Sequence, residues 1–352
     1  MGSVTMKDVA TRLGVSVTSV SNAFSRPDRI SADLRSRIID GAADLGYHGP
    51  DAAGRVLRSG RANAFGVVFN DRLSYVFTDP YAIALLAGFT EVLEEAGVGV
   101  FLAPLPVGPQ GSEADPGAIA TAVVDGVVGL CAGPSHPGIV AATRRQLPVV
   151  LTDTSPDHDY VSIDDRAAGR LVGRHLAGLG HRVVGLVCDT PDGDEVRVLH
   201  RADLPAEIES FRRRGWADAS NRLEGIVESV ADRDVVAVTA GRNTRDSGRR
   251  AAAALLDRDP RPTAVVAVSD VLGLGVLDEV RSRGLVPGVD VSVTGFDGIP
   301  EAVAAGLTTV VQPIAEKGRQ AARLLLDPTS DRRQVVLPTE LRVGTTTGPA
   351  PR

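Results

Sequence analysis

Apolar residues recur at helical spacing in three short stretches near the start of the chain. The three sets are Met6, Val9, Ala10 and Leu13; Val17, Val20, Ala23 and Phe24; and Leu34, Ile38, Ala42 and Leu45. Residues three and four apart share one face of a helix, so each set predicts an amphipathic helix with an inward apolar face. Thr5, Ser16 and Ser31 can cap these helices, and Gly14 and Gly46 can end two of them. The pattern therefore predicts a small three-helix domain.

The first two predicted helices have the spacing of a helix-turn-helix. Ala10 is small where the helices would cross, Gly14 suits a tight turn, and Val20 would pack the second helix on the first. The second helix would expose four short side chains, those of Val17, Thr18, Ser21 and Asn22. Short side chains let a helix lie close to base edges in a major groove. Residues 1–48 are thus predicted to bind DNA, with an ordinary helical subdomain as the alternative.

From Phe65 onward the pattern changes to short apolar runs that alternate with helical stretches. The runs include "FGVVF", "DGVVGL", "PVVLTD", "VVGLVCD", "AVVAVSD" and "VSVTGFD". Buried strands that alternate with amphipathic helices form parallel α/β sheets. Two such series, each of about a hundred residues, predict two similar lobes.

Polar residues follow several of these predicted strands. They are Asn70, Asp71, Asp153, Ser269, Asp270 and Asp297. Each of them alone could simply cap the helix that follows. Their recurrence in both lobes instead favours a cleft that binds a polar molecule, because ligands of open α/β sheets sit at the carboxyl ends of the strands.

Charge is unevenly distributed along the 352 residues. Residues 1–61 contain nine Lys/Arg and six Asp/Glu, which gives +3, and the net charge of −6 leaves −9 for the remainder. A basic head on an acidic body points weakly to a polyanionic partner for the head. Chance unevenness is the alternative interpretation.

Composition and motifs disfavour several other classes of protein. The only two cysteines, Cys131 and Cys188, are too far apart for a disulfide framework or a cysteine zinc site. No signal peptide or long apolar run is recognisable, so a cytoplasmic protein is expected. P-loop, HExxH and GxSxG motifs do not occur, so we expect no enzyme, no cofactor and no catalytic or metal-binding residue. An α/β enzyme with an appended DNA-binding domain remains the alternative.

A resemblance sharpens these expectations. The stretch "VTMKDVATRLGVSVTSVSNAFS" and the residues after it, up to residue 61, resemble the N-terminal domain of the LacI/GalR family of bacterial transcription regulators. The resemblance implies a DNA-binding set of Thr5, Ser16, Val17, Thr18, Ser21, Asn22 and Arg29. In it, Val17, Thr18 and Asn22 choose bases, whereas Ser16 and Ser21 touch phosphates. Asn22 stands where the family usually has arginine, and asparagine suits adenine better than guanine.

Residues 49–62 resemble the hinge helix of the same family. The resemblance implies that Leu57 wedges into the minor groove and kinks the DNA, a known use of apolar side chains. Gly54 lowers helix propensity, which fits a segment that folds only on the operator. A plain linker is the alternative.

The resemblance extends over nearly the whole chain and implies a periplasmic-binding-protein-like domain at 63–352 for effector binding and dimerisation. Lobe 1 is predicted to comprise about 63–163 and 294–326, and lobe 2 about 164–293 and 327–352, with crossovers near 163, 293 and 327. The implied effector-binding residues are Asn70, Tyr81, Asp153, Arg212, Asn243, Asp270 and Asp297. Arg212 and Asp297 are expected to come from opposite lobes. Asn243 falls where some members have a stacking aromatic residue, and Trp216 is expected only to pack.

The sequence as a whole predicts a sequence-specific repressor controlled by a small, polar, sugar-like effector bound between two lobes. A homodimer would present two heads to double-stranded operator DNA with a pseudopalindromic sequence. The last residues contain no leucine heptads, which favours dimers over tetramers. The effector, the operator sequence, the regulated genes and the direction of the response stay open.

Overall fold

The chain divides into two compact units, Met1–Ala62 and Asn63–Arg352. The computed structural model describes residues 4–49, 60–104, 116, 118–190, 193, 195–329 and 333–351. The division coincides with the start of the predicted effector domain. Most of the predicted hinge, including Gly54 and Leu57, lies outside the described residues.

The first unit contains the three predicted helices. They are α1 Met6–Leu13, α2 Val17–Ser25 and α3 Ala32–Asp44, with a 3-10 turn at Pro27–Arg29. The helices enclose one small core, made of Val9, Ala10, Val20, Ala23, Ile38, Ala42 and Tyr47. Val17 differs from the apolar pattern, because its side chain is 46% exposed. The other members of that pattern pack inward, so the inward face of α2 starts at Val20.

Capping defines the ends of α1 and α2. The Thr5 hydroxyl accepts a hydrogen bond from the backbone N–H of Asp8, and the Asp8 carboxylate accepts one from the backbone N–H of Thr5 at 2.9 Å. Gly14 ends α1 with φ +66°, a conformation that glycine adopts without strain. The Ser16 hydroxyl accepts from the backbone N–H of Ser19 at 2.9 Å. The helix-turn-helix therefore rests on local hydrogen bonds that the sequence specifies.

The second unit contains two sheets and their covering helices. One sheet has the order β12-β5-β4-β3-β1-β2 and is parallel throughout; the other has the order β13-β11-β10-β9-β6-β8-β7 and is parallel except at its two edges. The strands are β1 Ala64–Phe69, β2 Gly99–Pro104, β3 Val127–Leu130, β4 Val149–Leu151, β5 Asp159–Ile163, β6 Val183–Cys188, β7 Arg197–His200, β8 Asp234–Thr239, β9 Ala264–Ala267, β10 Ser292–Asp297, β11 Thr308–Val311, β12 Gln334–Leu337 and β13 Glu340–Arg342. The two predicted α/β lobes are thus present.

The helices alternate with these strands. They are α4 Leu73–Val76, α5 Pro80–Glu95, α6 Ala118–Thr121, α7 Pro137–Arg144, α8 Asp165–Gly178, α9 Leu204–Arg213, α10 Ala217–Ser229, α11 Arg245–Leu256, α12 Asp270–Ser282, α13 Pro300–Ala304 and α14 Ile314–Leu326, with a 3-10 turn at Arg201–Asp203. None of the described helices is long and apolar enough to cross a membrane.

The crossovers between the lobes differ from two of the three predicted positions. β10 pairs with β9 and β11, so the chain does not return to the first lobe near residue 293. It returns after β11, because α14 packs against α5 of the first lobe, and it leaves again after β12, which pairs with β5. Lobe 1 thus comprises residues 63–163 and about 313–338, and lobe 2 comprises the rest of the unit. Strand pairing, which the sequence does not encode locally, decides these boundaries.

Three helix pairs of the second unit cross at glycine residues. A Cβ on Gly88 of α5 would lie 1.9 Å from the carbonyl oxygen of Ala315 on α14. A Cβ on Gly225 of α10 would lie 2.0 Å from that of Arg166 on α8, and one on Gly275 of α12 would meet α11 equally closely. Atoms cannot approach to such distances, so these helices can touch only where a side chain is missing. The α8–α10 crossing holds one wall of the cleft described below.

Two histidines hold the C-terminal segment on the second lobe. His181 is fully buried, and its Nε2 donates to the carbonyl oxygen of Gly348 at 3.1 Å, while its Nδ1 lies 3.0 Å from the Thr263 hydroxyl. His175 lies 2.9 Å from the Thr347 hydroxyl. Burial lowers the pKa of both histidines. The folded protein therefore favours their neutral forms.

We expect the second unit to lose stability in mild acid through these two groups. Because their pKa is lower in the folded state, the unfolded chain binds more protons as the pH falls below about 6.5, the usual histidine pKa. Their contribution is fully present above that pH and is lost below it. Urea unfolding between pH 5 and 8, followed by Trp216 fluorescence, measures the effect. His181→Gln should reduce the slope below pH 6.5, whereas an unchanged slope, matching that of the exposed-site control His48→Gln, would contradict the assignment.

Candidate functional sites

One candidate site is the outer surface of α2 in the first unit. Val17 and Thr18 are exposed, and Ser21 and Asn22 are half-buried at its edge. Among the described residues, Thr18, Ser21 and Asn22 offer side chains that no other protein group engages. Arg29 is exposed just beyond α2, and Thr5 and Ser16 use their hydroxyls as helix caps. The surface thus presents short polar groups that can reach the edges of bases.

The other candidate site is a cavity of about 210 Å³ between the two lobes of the second unit. It lies at the carboxyl ends of strands from both sheets, where open α/β sheets bind their ligands. Lobe 1 contributes polar groups from Asn70, Asp71, Tyr75, Asp79, Tyr81 and Asp153. Lobe 2 contributes Asp189, Trp216, Asp218, Arg222, Arg242, Asn243, Ser269 and Asp297. A ligand enclosed here would contact both lobes.

Five of the seven residues predicted for effector binding line this cavity. They are Asn70, Tyr81, Asp153, Asn243 and Asp297. Asp270 is buried behind the wall instead, where its carboxylate accepts hydrogen bonds from the backbone N–H groups of Gly298 and Ile299 and from the Thr309 hydroxyl, at 2.6–2.8 Å. Burial raises the pKa of Asp270 to about 7. This residue supports the loop that carries Asp297.

Arg212 lies outside the cavity. Its side chain is 47% exposed on α9 and forms ion pairs with Glu209 and Glu224. The prediction that Arg212 and Asp297 face each other from opposite lobes was wrong, since both belong to lobe 2. The family resemblance suggested Arg212, but this residue lies in the last turn of α9 and points to the surface.

Two arginines, Arg222 of α10 and Arg242, line the cavity, and Arg222 is the buried one. It is 9% exposed, its Nη2 donates to Asp165 Oδ1 at 2.8 Å, and its Nη1 donates to the carbonyl oxygen of Val268 at 2.6 Å. The guanidinium also stacks on the ring of Phe296 at 3.6 Å. A sequence signal exists, because Arg222 occupies a buried position of the stripe that continues with Ile226. A charge in such a stripe needs a partner, and here the partner is Asp165.

Asp297 has a strained backbone. Its φ is +119°, which is unusual for a residue with a side chain, and its carboxylate accepts from Gln312 Nε2 at 2.7 Å. Such strain persists where the surroundings enforce it and concentrates at functional positions. Burial raises the pKa of Asp297 well above its ordinary value, although Arg222 acts in the opposite direction. The fold thus holds a carboxyl group at the cavity wall in one fixed orientation.

Aromatic side chains line the cavity as well. Tyr75 and Tyr81 come from lobe 1, and Trp216 comes from lobe 2, directly before α10. Trp216 was expected only to pack; it does pack against Phe211, with ring centroids 5.6 Å apart, and it also lines the cavity. Aromatic side chains of both lobes are therefore within reach of a ligand in the cavity.

Two direct contacts join the lobes at the cleft. Arg242 Nη1 of lobe 2 lies 2.5 Å from Asp71 Oδ1 of lobe 1, and the Tyr75 hydroxyl donates to the carbonyl oxygen of Asn243 at 3.0 Å. Both contacts use residues that also line the cavity. The relative arrangement of the lobes and the shape of the ligand site therefore depend on the same side chains.

The fold and the two surfaces define a class of protein, a DNA-binding regulator whose body is built like a ligand-binding protein. Residues 5–50 match the bacterial regulatory proteins of the lacI family, and residues 174–347 match the periplasmic binding protein-like domain. The chain belongs to the lacI family and is a DNA-binding transcription regulator.

Relatives support this assignment over the full length. An HTH-type transcriptional regulator of Mycobacterium tuberculosis is 41% identical, and the match covers 98% of this chain and 97% of the relative. A crystal structure of a LacI family regulator from Corynebacterium glutamicum is 30% identical, covers 99% and 100% of the two chains, and has a TM-score of 0.70. A complex of the regulator CelR with cellobiose is 26% identical, covers 98% and 100%, and has a TM-score of 0.65. The relatives named here are regulators, not enzymes.

Proposed function

We propose that this regulator is a homodimeric repressor whose operator binding is controlled by a small polar effector in the cleft between the lobes. The observation that carries the proposal is the cavity between the lobes, because polar side chains of both lobes line it in a chain that also has a DNA-binding domain. The similar regulator that is named as a cellobiose complex supports a sugar-like effector.

A ligand in the cleft could control operator binding because the cleft is formed by two lobes. A ligand that contacts Asp153 of lobe 1 and Arg222 or Asp297 of lobe 2 makes those contacts together only when the lobes are closed. Such a ligand shifts the equilibrium toward the closed form by its difference in affinity for the two forms. In a dimer, lobe movement would change the separation of the two hinge segments, 49–62, and thereby the fit of the two heads to the half-sites of an operator.

The surface of lobe 1 supports dimer formation. β2 is an edge strand, and its residues Val100 and Phe101 are each 36% exposed. Ile83 on α5, which packs against β2, is 45% exposed. Neighbouring exposed apolar side chains of this kind mark protein interaction surfaces. We propose that the second copy covers this patch.

Phe101→Glu is expected to convert the protein to a monomer and to weaken operator binding by at least about 100-fold, because two linked heads bind far more tightly than one. Light scattering after size-exclusion chromatography and anisotropy with labelled operator measure the two effects. Val289→Glu, at an apolar residue of lobe 2 that is 64% exposed, serves as the control and should stay dimeric. A dimeric Phe101→Glu variant would place the interface elsewhere.

The proposed function is tested by reciprocal coupling. An operator is first selected from random duplexes, and sugars and related metabolites are screened by thermal shift, in which a ligand at 100 times its Kd stabilises by about 2.7 kcal/mol. Each ligand is then titrated with and without operator, and operator with and without ligand. Thermodynamic linkage requires that the ligand changes operator affinity by the same factor by which the operator changes ligand affinity. A ligand that binds the cleft with the same affinity in the presence and absence of operator would rule out the proposed control.

A further inference from the structure

The cleft has a marked excess of negative charge. Six aspartates line it, and two arginines are the only basic residues among the described lining residues. Neither arginine is available to neutralise the remaining aspartates, because Arg242 pairs with Asp71 at the rim and Arg222 is held by Asp165 behind the wall. An anionic ligand would therefore meet like charges on both lobes.

Two of the aspartates keep their carboxylates unengaged. Asp153 and Asp218 form no side-chain hydrogen bond or ion pair with any described residue, although Asp153 is only 6% exposed. The carboxylate oxygens of Asp153 are not among the fully buried atoms that lack a partner, so they open onto the cavity. The carboxylate of Asp189 already accepts a hydrogen bond from its own backbone N–H. Asp297 differs, since it accepts a hydrogen bond from Gln312, and Asp79 caps α5. The carboxylates of Asp153 and Asp218 are therefore acceptors that a ligand can satisfy.

The pKa values of the cleft aspartates also favour a ligand that bears a positive charge. Burial raises the pKa of Asp153 well above its ordinary value and the like-charged Asp218 raises it further, although Lys317 and Arg222 act in the opposite direction. Burial also raises the pKa of Asp189, to about 6. A ligand cation close to Asp153 and Asp218 would favour the ionised carboxylate of Asp153, because an opposite charge within a few ångströms favours the ionised form. Tyr75 of lobe 1 and Trp216 of lobe 2 also line the cavity, and aromatic rings attract cations.

We propose that the effector is a small polyhydroxylated molecule that carries a protonated amine, such as an amino sugar or an amino polyol, with its ammonium group held by Asp153 and Asp218. This inference rests on the proposed function and names the ligand class of the same cleft. An ammonium group has three donors and no acceptor, which matches a set of carboxylates that accept only. A phosphorylated or oxidised sugar would place a negative charge against them, and such repulsion excludes a competitor.

Matched triads of compounds test the ligand class. Each triad has one skeleton in neutral, amino and phosphorylated form: glucose, glucosamine and glucose 6-phosphate, with equivalent sets for galactose, ribose and inositol. Thermal shift and calorimetry with the full-length protein are expected to show binding of at least one amino compound, at least about tenfold tighter than its neutral counterpart, and no binding of the phosphorylated one. The inference is overturned if the neutral or phosphorylated member binds best, or if no amino compound binds.

Two substitutions test the site itself. Asp218→Asn keeps the shape of the side chain and removes its charge, and it should weaken the amino compound at least about tenfold while changing affinity for the neutral counterpart by less than about threefold. Asp153→Asn should act alike and should not lower the melting temperature, because the native carboxylate has no partner to lose. The control is Asp232→Asn, whose carboxylate is 71% exposed. An equal loss of affinity for both compounds would mean that these carboxylates do not distinguish a charged ligand from a neutral one.

The outcomes separate this inference from the proposed function. A neutral sugar that binds in the cleft and changes operator affinity would contradict the proposed amino ligand but support the proposed repressor function. An amino compound that binds through Asp153 and Asp218 without changing operator affinity would support the proposed ligand class. It would contradict the proposal that this ligand controls DNA binding.

Discussion

Arg222→Ala is expected to destabilise the second unit by about 3–5 kcal/mol, the usual cost of removing one partner of a buried ion pair. The substitution leaves Asp165, which is 4% exposed, without its counter-charge, and it frees the carbonyl oxygen of Val268. It also removes the cation nearest to Asp297. Trp216 is the only tryptophan of the chain and belongs to this unit, so its fluorescence during urea unfolding reports this loss selectively.

Arg212→Ala provides the matched control. Its exposed ion pairs with Glu209 and Glu224 are each worth at most about 1 kcal/mol, so the unfolding midpoint should hardly change. For the same reason, any effector identified for the cleft should bind the Arg212→Ala variant normally. A larger loss of stability and of effector affinity for Arg212→Ala than for Arg222→Ala would contradict the placement of Arg222 in the cleft wall. It would favour Arg212, the arginine predicted from the sequence.

Asn22→Ala is expected to weaken binding to the cognate operator by about 1–3 kcal/mol, or roughly 5- to 150-fold, and to relax the base preference at one position of each half-site. The amide of asparagine can pair with the edge of adenine, whereas alanine offers no donor or acceptor. Selection from randomised operators by wild type and variant, followed by competition binding, measures the effect. Ser36→Ala on α3, outside the predicted contact surface, is the control. If both variants select the same bases as the wild type, Asn22 does not read the sequence.

The two sites differ in how far the sequence alone predicts them. In the first unit, the caps at Thr5 and Ser16, the glycine at position 14 and the apolar spacing from Val9 to Val20 act within a few residues of each other. Local hydrogen bonds and helical periodicity therefore predicted its helices and their ends. The periodicity failed only at Val17, because a residue in the first turn of a short helix can project past the core.

In the second unit, the alternation of strands and helices predicted two parallel α/β lobes, and polar residues after the strands predicted a cleft. Asp153 and Asp297 were found in this way, since the carboxyl ends of parallel strands meet at one edge of a sheet. Asp270 also comes after a strand, β9, yet its side chain turns inward to hold the loop at Gly298. The strand pattern does not distinguish a side chain that faces the cleft from one that supports its wall.

The sequence by itself determined the helix-turn-helix, the two-lobed class of the body and the polar character of the cleft, because these depend on local spacing and on the ends of strands. Only the tertiary structure decided that Arg222 and not Arg212 lines the cleft, where the chain crosses between the lobes, and that Trp216 lines the cavity. These features depend on partners distant in the chain: Arg222 on Asp165, β10 on β9, and α14 on α5. Pairing over such separations is set by how complete elements pack, and no short stretch of residues encodes it.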